Sequence, residues 1–322
     1  MARRVSMADV AAAAGVSAQT VSRVVNASPR VDPATRASVE AAMAELGYRM
    51  HRAARALRTG RTDTIGLIVS NLATVGNSRM LQALADAAAE RGFALTVVTA
   101  SGREGVADGF ARLHDQGIDG AVILNEATAL ARGLDVPDDL ALVVVDSPSD
   151  DRFAVVQTDH AAGARAATEH LLARGVDTVH HLAGPQDSFA AVERERGWRE
   201  ALEAAGRPVP AVLRGDWTAA SGHAAVAVLD AGATALFAAN DQMALGALRA
   251  LADAGRRVPE DVAVVGFDDV EDAAEYRPPL TTVRQDFDAL GTAAVASLVA
   301  LIGGAEAPPA VLTPELVARA SA

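Results

Sequence analysis

The run SMADVAAAAGVSAQTVSRVVN, residues 6–26, holds two helix starts and one helix stop. Ser6 followed three positions later by Asp9 forms a capping box that opens a short helix through Ala8 to Ala14, and Gly15 ends it. Ser17 caps a second helix in which Val21, Val24 and Val25 share one face while Gln19, Ser22, Arg23 and Asn26 point elsewhere. Downstream, Asp32-Pro33 puts a cap residue and an N1 proline at the start of a third helix. Val39, Ala42, Met43 and Leu46 line one side of it and Gly47 closes it. Three such helices share one core and make a small all-α head, residues 1–48. Two helices joined by a tight glycine turn, the second carrying amide, guanidinium and hydroxyl groups, have what a major-groove reader needs: Gln pairs with adenine and Arg with guanine. Spacing alone fits an ordinary three-helix module with a solvated polar face equally well.

Charge separates the two. The chain of 322 residues carries −12 overall, yet residues 1–61 hold ten arginines against Asp9, Asp32, Glu40 and Glu45, a net +6 that leaves −18 for the rest. A basic head on an acidic body suits a phosphate-binding module joined to something that does not touch DNA. Every cation is an arginine, and cysteine is absent, which excludes disulfides, thiolate-held metals and a cysteine nucleophile. No metal and no cofactor are expected. No segment approaches the roughly 18 apolar residues of a membrane span, and the N-terminus lacks a signal-peptide pattern, so a cytoplasmic protein is expected.

From Thr64 onward short apolar runs alternate with amphipathic ones. The strands are IGLIV (65–69), ALTVV (94–98), GAVIL (120–124), ALVVV (141–145), VVQTD (155–159), VHHLA (179–183), ALFAA (235–239) and VAVVG (262–266). Helices are expected at Met80–Arg91, near Glu104–Gln116, up to Arg174, and over 191–205, 218–231 and 241–254. Strands buried on both faces and separated by helices imply an α/β body of two doubly wound parallel-sheet lobes, with ligand in the cleft at the strand carboxyl ends. Polar residues stand at those ends: Asp146, Asn240-Asp241 and Asp268-Asp269. Asp241 reads as a helix cap, whereas Asn240 and Asp268 read as ligand contacts. Arg194 and Trp217 add a fork donor and an aromatic face. His180-His181, in a strand, read as structural. G-x-G-x-x-G, a P-loop, G-x-S-x-G and H-E-x-x-H are all missing, which argues against an enzyme.

Residues 7–26 with 28–48 resemble the head of the lactose repressor family of bacterial regulators. GDWTAASG (215–222), AANDQMALGALRA (238–250), VVGFDDVEDA (264–273) and PPLTTVRQDFDALG (278–291) extend the resemblance over nearly the whole chain. It implies a recognition helix bearing Ser17, Ala18, Gln19, Ser22 and Arg23, with Gln19 and Arg23 reading bases, while Ser6, Met7, Thr20, Asn26, Arg30 and Thr35 hold backbone and register. It also implies a hinge over residues 49–61 in which Ala54 and Leu57 meet the minor groove, Leu57 as the wedge, although Met50-His51 stands where the family commonly has Pro-Asn. Lobes of the periplasmic sugar-binding type are implied, one of residues 62–158 with 285–312 and one of 159–284 with 313–322. Around their cleft would lie Met80, Asp146, Arg194, Trp217, Asn240, Asp268, Gln285 and Phe287, holding a galactoside or related glycoside. The tail VLTPELVARASA has no leucine heptads, so a homodimer on near-palindromic double-stranded operator DNA is expected, released by its ligand. Two alternatives stay open: a sugar-binding protein without a regulatory role, and a regulator that binds DNA better with its ligand.

Overall fold

The computed structural model describes residues 5–25, 28–48, 60–131, 133–134, 136–137, 140–148 and 152–322. The chain divides into two compact units, Met1–Thr62 and Asp63–Ala322.

In the first unit α1 (Met7–Ala14), α2 (Ala18–Val25) and α3 (Pro33–Glu45) enclose a core of Val10, Ala11, Val21, Val24, Val39 and Ala42. The sequence signals act as expected. Asp9 N–H donates to Ser6 Oγ at 3.3 Å while Ser6 N–H donates to Asp9 Oδ2 at 2.8 Å, and Gly15 takes the left-handed conformation, φ 66°, that ends α1. Ser17 Oγ accepts from Thr20 N–H at 3.1 Å and Asp32 Oδ1 from Thr35 N–H at 3.0 Å. The hydrogen bonds from Thr35 hold the Asp32 carboxyl below its ordinary pKa.

The second unit contains two six-stranded sheets of the same winding. One comprises β1 (Thr64–Val69), β2 (Ala94–Thr99), β3 (Gly120–Leu124), β4 (Ala141–Val145), β5 (Ala154–Thr158) and β11 (Ala310–Leu312), in spatial order β11-β5-β4-β3-β1-β2, all parallel. The other comprises β6 (His180–Ala183), β7 (Leu213–Arg214), β8 (Ala235–Ala238), β9 (Ala263–Asp268), β10 (Thr281–Arg284) and β12 (Glu315–Val317). Its order is β12-β10-β9-β8-β6-β7, and only β12 runs antiparallel. In each, the strand order reverses beside the first strand, at β1/β3 and at β6/β8, which opens a crevice at the carboxyl edge.

Helices cover both faces: α4 (Val75–Glu90), α5 (Gly102–Asp115), α6 (Glu126–Ala131) and α11 (Phe287–Ile302) on the first sheet, and α7 (His160–Leu172), α8 (Phe189–Ala204), α9 (Ala219–Val226) and α10 (Asp241–Asp253) on the second. The chain crosses between lobes after β5, after β10 and after β11.

Several boundaries differ from the sequence pattern. Helix α4 begins at Val75, five residues before the expected start, because Thr74 Oγ1 accepts from Asn77 N–H at 3.4 Å and turns a polar, glycine-containing segment into a first helical turn. Helix α9 stops at Val226, well short of residue 231, and the turn beyond it is tied by Gly232 N–H donating to Asp230 Oδ1 at 2.7 Å. His181 is fully buried, its ring stacked on Phe237 with centroids 4.8 Å apart and Nδ1 3.0 Å from Phe237 O. Burial pushes its pKa down to about 4, so it is a neutral core residue as expected. None of the helices among the described residues is long and apolar enough to cross a membrane.

Candidate functional site

On the head, Val21 and Val24 anchor α2 to the core, which turns Ser17, Ala18, Gln19 and Arg23 outward as exposed residues and leaves Thr20 and Ser22 half-buried. Ser6, Met7 and Arg30 are exposed and Thr35 is half-buried at the start of α3. Ser6, Ser17, Thr20 and Thr35 all lie at helix N-termini, where backbone N–H groups face outward. Asn26, Ala54 and Leu57 lie outside the described residues, as does the rest of 49–59.

In the body all eight residues named for the ligand line one cavity between the lobes. They reach it from the loops after β4 (Asp146), β7 (Trp217), β8 (Asn240) and β10 (Gln285), from the last residue of β9 (Asp268), and from helices α4 (Met80), α8 (Arg194) and α11 (Phe287). The backbone marks the same place. Asn125 (φ 46°), Asp146 (φ 50°), Trp217 (φ 74°) and Asp268 (φ 111°) all line the cavity with positive φ, which costs a non-glycine residue about 1–3 kcal/mol and persists only where surroundings hold it.

Arg194 is the centre of the polar network. It is 4% exposed, so its charge must be matched locally. Arg194 NH2 lies 3.3 Å from Asp268 Oδ1, NH1 donates to Ala239 O, and the guanidinium lies over the Phe267 ring, 3.8 Å from its centroid. Nε donates to His160 Nδ1 at 3.3 Å. Since arginine cannot accept, His160 Nδ1 must be the acceptor, and the ring hydrogen sits on Nε2, which lies 3.0 Å from Asp146 Oδ1. His160 therefore joins Asp146, on the first lobe, to Arg194 on the second. Asp146 Oδ1 also accepts from Thr158 N–H at 3.0 Å, and Gln285 Nε2 donates to Asp268 Oδ1 at 2.6 Å, leaving Gln285 Oε1 buried without a hydrogen-bond partner among the described residues.

The carboxyls respond differently to this setting. Burial raises the pKa of both, but His160, Thr158 and Arg194 overcome it at Asp146, which ends below its ordinary value, whereas at Asp268 burial wins and the pKa ends above it.

The cap assignments are reversed from the sequence reading. Asn240 is the N-cap of α10, its Oδ1 accepting from Met243 N–H at 2.9 Å, and its Nδ2 donates to Trp217 O at 3.1 Å, so it also fixes the tryptophan loop. Asp241 caps nothing. Its carboxyl is wholly buried, with Oδ2 accepting from Val270 N–H at 2.9 Å and Oδ1 2.5 Å from Thr282 Oγ1. The sequence could not separate the two because either side chain can cap, and tertiary partners decided.

Burial, with the nearby Asp268 charge, pushes Asp241 up to about 8. The folded protein then keeps a proton that the unfolded chain releases near pH 4, so this group's contribution to stability falls as pH rises from about 4 to 8. Asp241→Asn copies the protonated carboxyl, with its oxygen toward Val270 N–H and its amide toward Thr282. We expect its stability relative to the parent to grow with pH across that window, by up to about 1 kcal/mol per pH unit. Urea unfolding at pH 5, 6, 7 and 8 measures this, and parallel curves for the two proteins would refute it.

The contributors missed by sequence reasoning include four polar side chains, Asn77, Asn125, Glu126 and His160. Asn125 and Glu126 follow GAVIL directly, so the strand-end rule that found Asp146 applied to them too. Asn77 sits in the first turn of α4, a segment read as loop. His160 had no signal of its own, since it reads as an ordinary helix-start residue and gains its role only from Arg194. Trp217 depends on Gly184, where an added Cβ would run into the indole ring.

The comparisons with known proteins agree with this arrangement. Residues 6–50 match the family described as bacterial regulatory proteins, lacI family, and residues 168–322 match the periplasmic binding protein-like domain. The chain is 41% identical to the HTH-type transcriptional regulator CelR of Thermobifida fusca over 99% of its own length and 98% of that protein's. A crystal structure of the lac repressor dimer bound to operator and the anti-inducer ONPF superposes with a TM-score of 0.87 at 36% identity, covering 99% of both chains. The CelR–cellobiose complex superposes with a TM-score of 0.74 at 37% identity, covering 99% of this chain and 100% of the other. These relatives are regulators of transcription rather than enzymes. With near-complete coverage at such identity, a three-helix helix-turn-helix head and a polar interlobe cavity in the body, the chain belongs to the lacI family of bacterial regulatory proteins.

Proposed function

We propose that the protein is a homodimeric repressor that holds a near-palindromic operator through its two heads and lets go when a small sugar, a galactoside or related glycoside, fills the interlobe cavity. The observation that carries this reading is the cavity itself. Two carboxyls, two amides and an indole converge from the carboxyl ends of strands on both lobes, and a guanidinium joins them from helix α8. Sugars present hydroxyls that satisfy the carboxyls and amides held around the guanidinium and an apolar C–H face that suits the indole. The relatives point the same way, one solved on operator DNA and another with cellobiose.

In this reading α2 enters the major groove, with Gln19 and Arg23 at base edges and Ala18 too short to reach far. Residues 49–61 form the hinge, with Ala54 and Leu57 at the minor groove. Because the ligand touches both lobes, binding biases how they sit on one another, and that difference is what reaches the hinges. Linkage requires operator DNA to weaken sugar binding by the same factor.

The test is fluorescence anisotropy of the full-length protein on DNA from its own upstream region at fixed salt, titrated with galactosides, cellobiose and other sugars. We expect specific binding that one sugar class weakens at least tenfold. Binding strengthened by the sugar would reverse the sign and make the ligand a corepressor. Absence of specific DNA binding with or without every sugar would overturn the proposal.

A further inference from the structure

Asp268 faces the cavity from a backbone turn that has to be held in place. It and Asp269 are consecutive, neither is glycine, and both have positive φ, 111° and 53°. Such a conformation costs a non-glycine residue about 1–3 kcal/mol and persists only where the surroundings enforce it. Two arginines hold Asp269, with Arg284 Nε donating to its Oδ2 at 2.7 Å and Arg319 NH2 lying 2.7 Å from its Oδ1. A further hold comes from Asp241, which is not among the residues lining the cavity.

The Asp241 carboxyl joins three elements. It starts from the first residue of α10, its Oδ2 accepts from Val270 N–H at 2.9 Å at the end of the turn, and its Oδ1 lies 2.5 Å from Thr282 Oγ1 on β10. Strand β9 makes room for it. Gly266, paired with Thr282 and two residues before Asp268, sits inside a buried strand, where glycine packs nothing and weakens the ladder. A Cβ there would run into Asp241 Oδ1 and come within 3.2 Å of Thr282 Oγ1, so the missing side chain is the space the carboxyl occupies. Facing the carboxyl are Asp268 on β9 and Asp269 in the turn, the latter tied to Arg284 and Arg319. Arg194 on α8 is committed to Asp268, and burial pushes the nearby Tyr276 hydroxyl up to about 12, so it stays neutral.

We infer that Asp241 is a positioning residue: without touching the effector, its carboxyl ties the turn that carries Asp268 to α10 and β10, and so keeps the Asp268 carboxyl turned into the cavity. This rests on the sugar-effector reading above, in which Asp268 accepts hydroxyls, and deepens it by placing a determinant of affinity behind the cavity wall. The proton that Asp241 keeps up to about pH 8 is then part of the site. A bound sugar expels water from the cleft and weakens screening between Asp241 and Asp268, so the complex holds that proton more tightly than the free protein does. By linkage, sugar affinity falls as pH rises through about 8.

Isothermal titration of the full-length protein with lactose, cellobiose, galactose and glucose at pH 7, 8 and 9 tests it, with operator binding and urea midpoints measured alongside. For a sugar that binds the parent, we expect affinity to fall at least threefold from pH 7 to pH 9. Asp241→Asn, which serves Val270 N–H and Thr282 without ionising, should stay within threefold of the parent at pH 7 and remain flat to pH 9. Asp241→Ala should cut sugar affinity at least tenfold at pH 7 while operator affinity stays within threefold. Thr282→Val, which cuts only the tie to β10, should fall between the two, and it takes the place of Asp241→Ala should that variant not fold. Three results each overturn the inference and leave a sugar effector standing: a severed variant that binds sugar as the parent does, an Asp241→Asn protein that loses as much as the severed one, or an alkaline fall that is absent from the parent or undiminished in Asp241→Asn. If none of the four sugars gives heat or releases DNA, the sugar-effector reading falls and the inference with it.

Discussion

Replacing Arg194 with leucine is expected to lower sugar affinity at least 100-fold while operator affinity stays within about threefold, giving a protein that binds DNA but no longer responds. The expectation follows from what the guanidinium holds rather than from its own reach into the cavity. Arg194 is the partner of Asp268, the donor to Ala239 O, and the group that fixes the His160 tautomer. Remove it and Asp268, already pushed up by burial, loses the positive charge that opposes the rise, which leaves a buried carboxyl without its cation and a poorer acceptor for hydroxyls. His160 loses the donor that held its Nδ1, and with it the contact that sets its ring beside Asp146, 3.0 Å from Nε2. Two or three charge-assisted hydrogen bonds at about 1.5–3 kcal/mol each exceed the roughly 2.7 kcal/mol that a 100-fold loss represents. Breaking a buried ion pair also destabilises folding, by about 3–5 kcal/mol, so the urea midpoint of the variant must be read alongside its sugar titration. Arg194→Lys keeps the charge but cannot serve Asp268, Ala239 O and His160 at once, and should fall between the two. A leucine variant still released by sugar within tenfold of the parent concentration would show that the cavity is not the effector site.

The parts of this arrangement that the sequence made legible share one physical property: their signal is local. GAVIL and ALVVV read as strands because both faces are buried and every residue must be apolar, and the observed strands match them end to end. Asp146 and Asp268 stood out because a carboxylate at the end of such a strand has no packing purpose. The hidden parts depend on residues distant in sequence. His160 and Arg194 are 34 positions apart, and nothing near either names the other. Strands β11 and β12 are three residues each, partly exposed, and held by pairing with β5 and β10 rather than by their own pattern. Asn240 and Asp241 carry interchangeable capping chemistry, and only the positions of Met243, Val270 and Thr282 separate their roles.

Gly246→Ala should destabilise the protein by about 2 kcal/mol or more, against the direction that helix propensity alone would give. Alanine is favoured over glycine inside a helix by about 1 kcal/mol, and Gly246 lies in the middle of α10. Across from it runs α9, and the two backbones touch: a Cβ on Gly246 would fall on Ala219 O and come within 2.7 Å of His223 N, while a Cβ on Gly222 would come within 2.7 Å of Met243 Cα. The obstructing atoms are backbone, which cannot rotate aside as a side-chain tip could, so the helices must part. Overpacking of this kind costs about 1–3 kcal/mol and sometimes more, enough to exceed the propensity gain. Gly105→Ala in α5 supplies the contrast, since its Cβ would meet Ala100 at an ordinary 3.5–3.8 Å, and it should gain roughly 0.5–1 kcal/mol. Urea midpoints moving in opposite directions for the two variants would establish the crossing; a gain at both positions would mean that the helices separate at little cost. The consequence reaches the cavity, because α10 begins at the residue after Asn240 and Asn240 holds the Trp217 carbonyl. Pushing α10 off α9 shifts both together, so Gly246→Ala should weaken sugar binding while leaving the intrinsic DNA contacts of the head, a separate unit of the chain, unchanged.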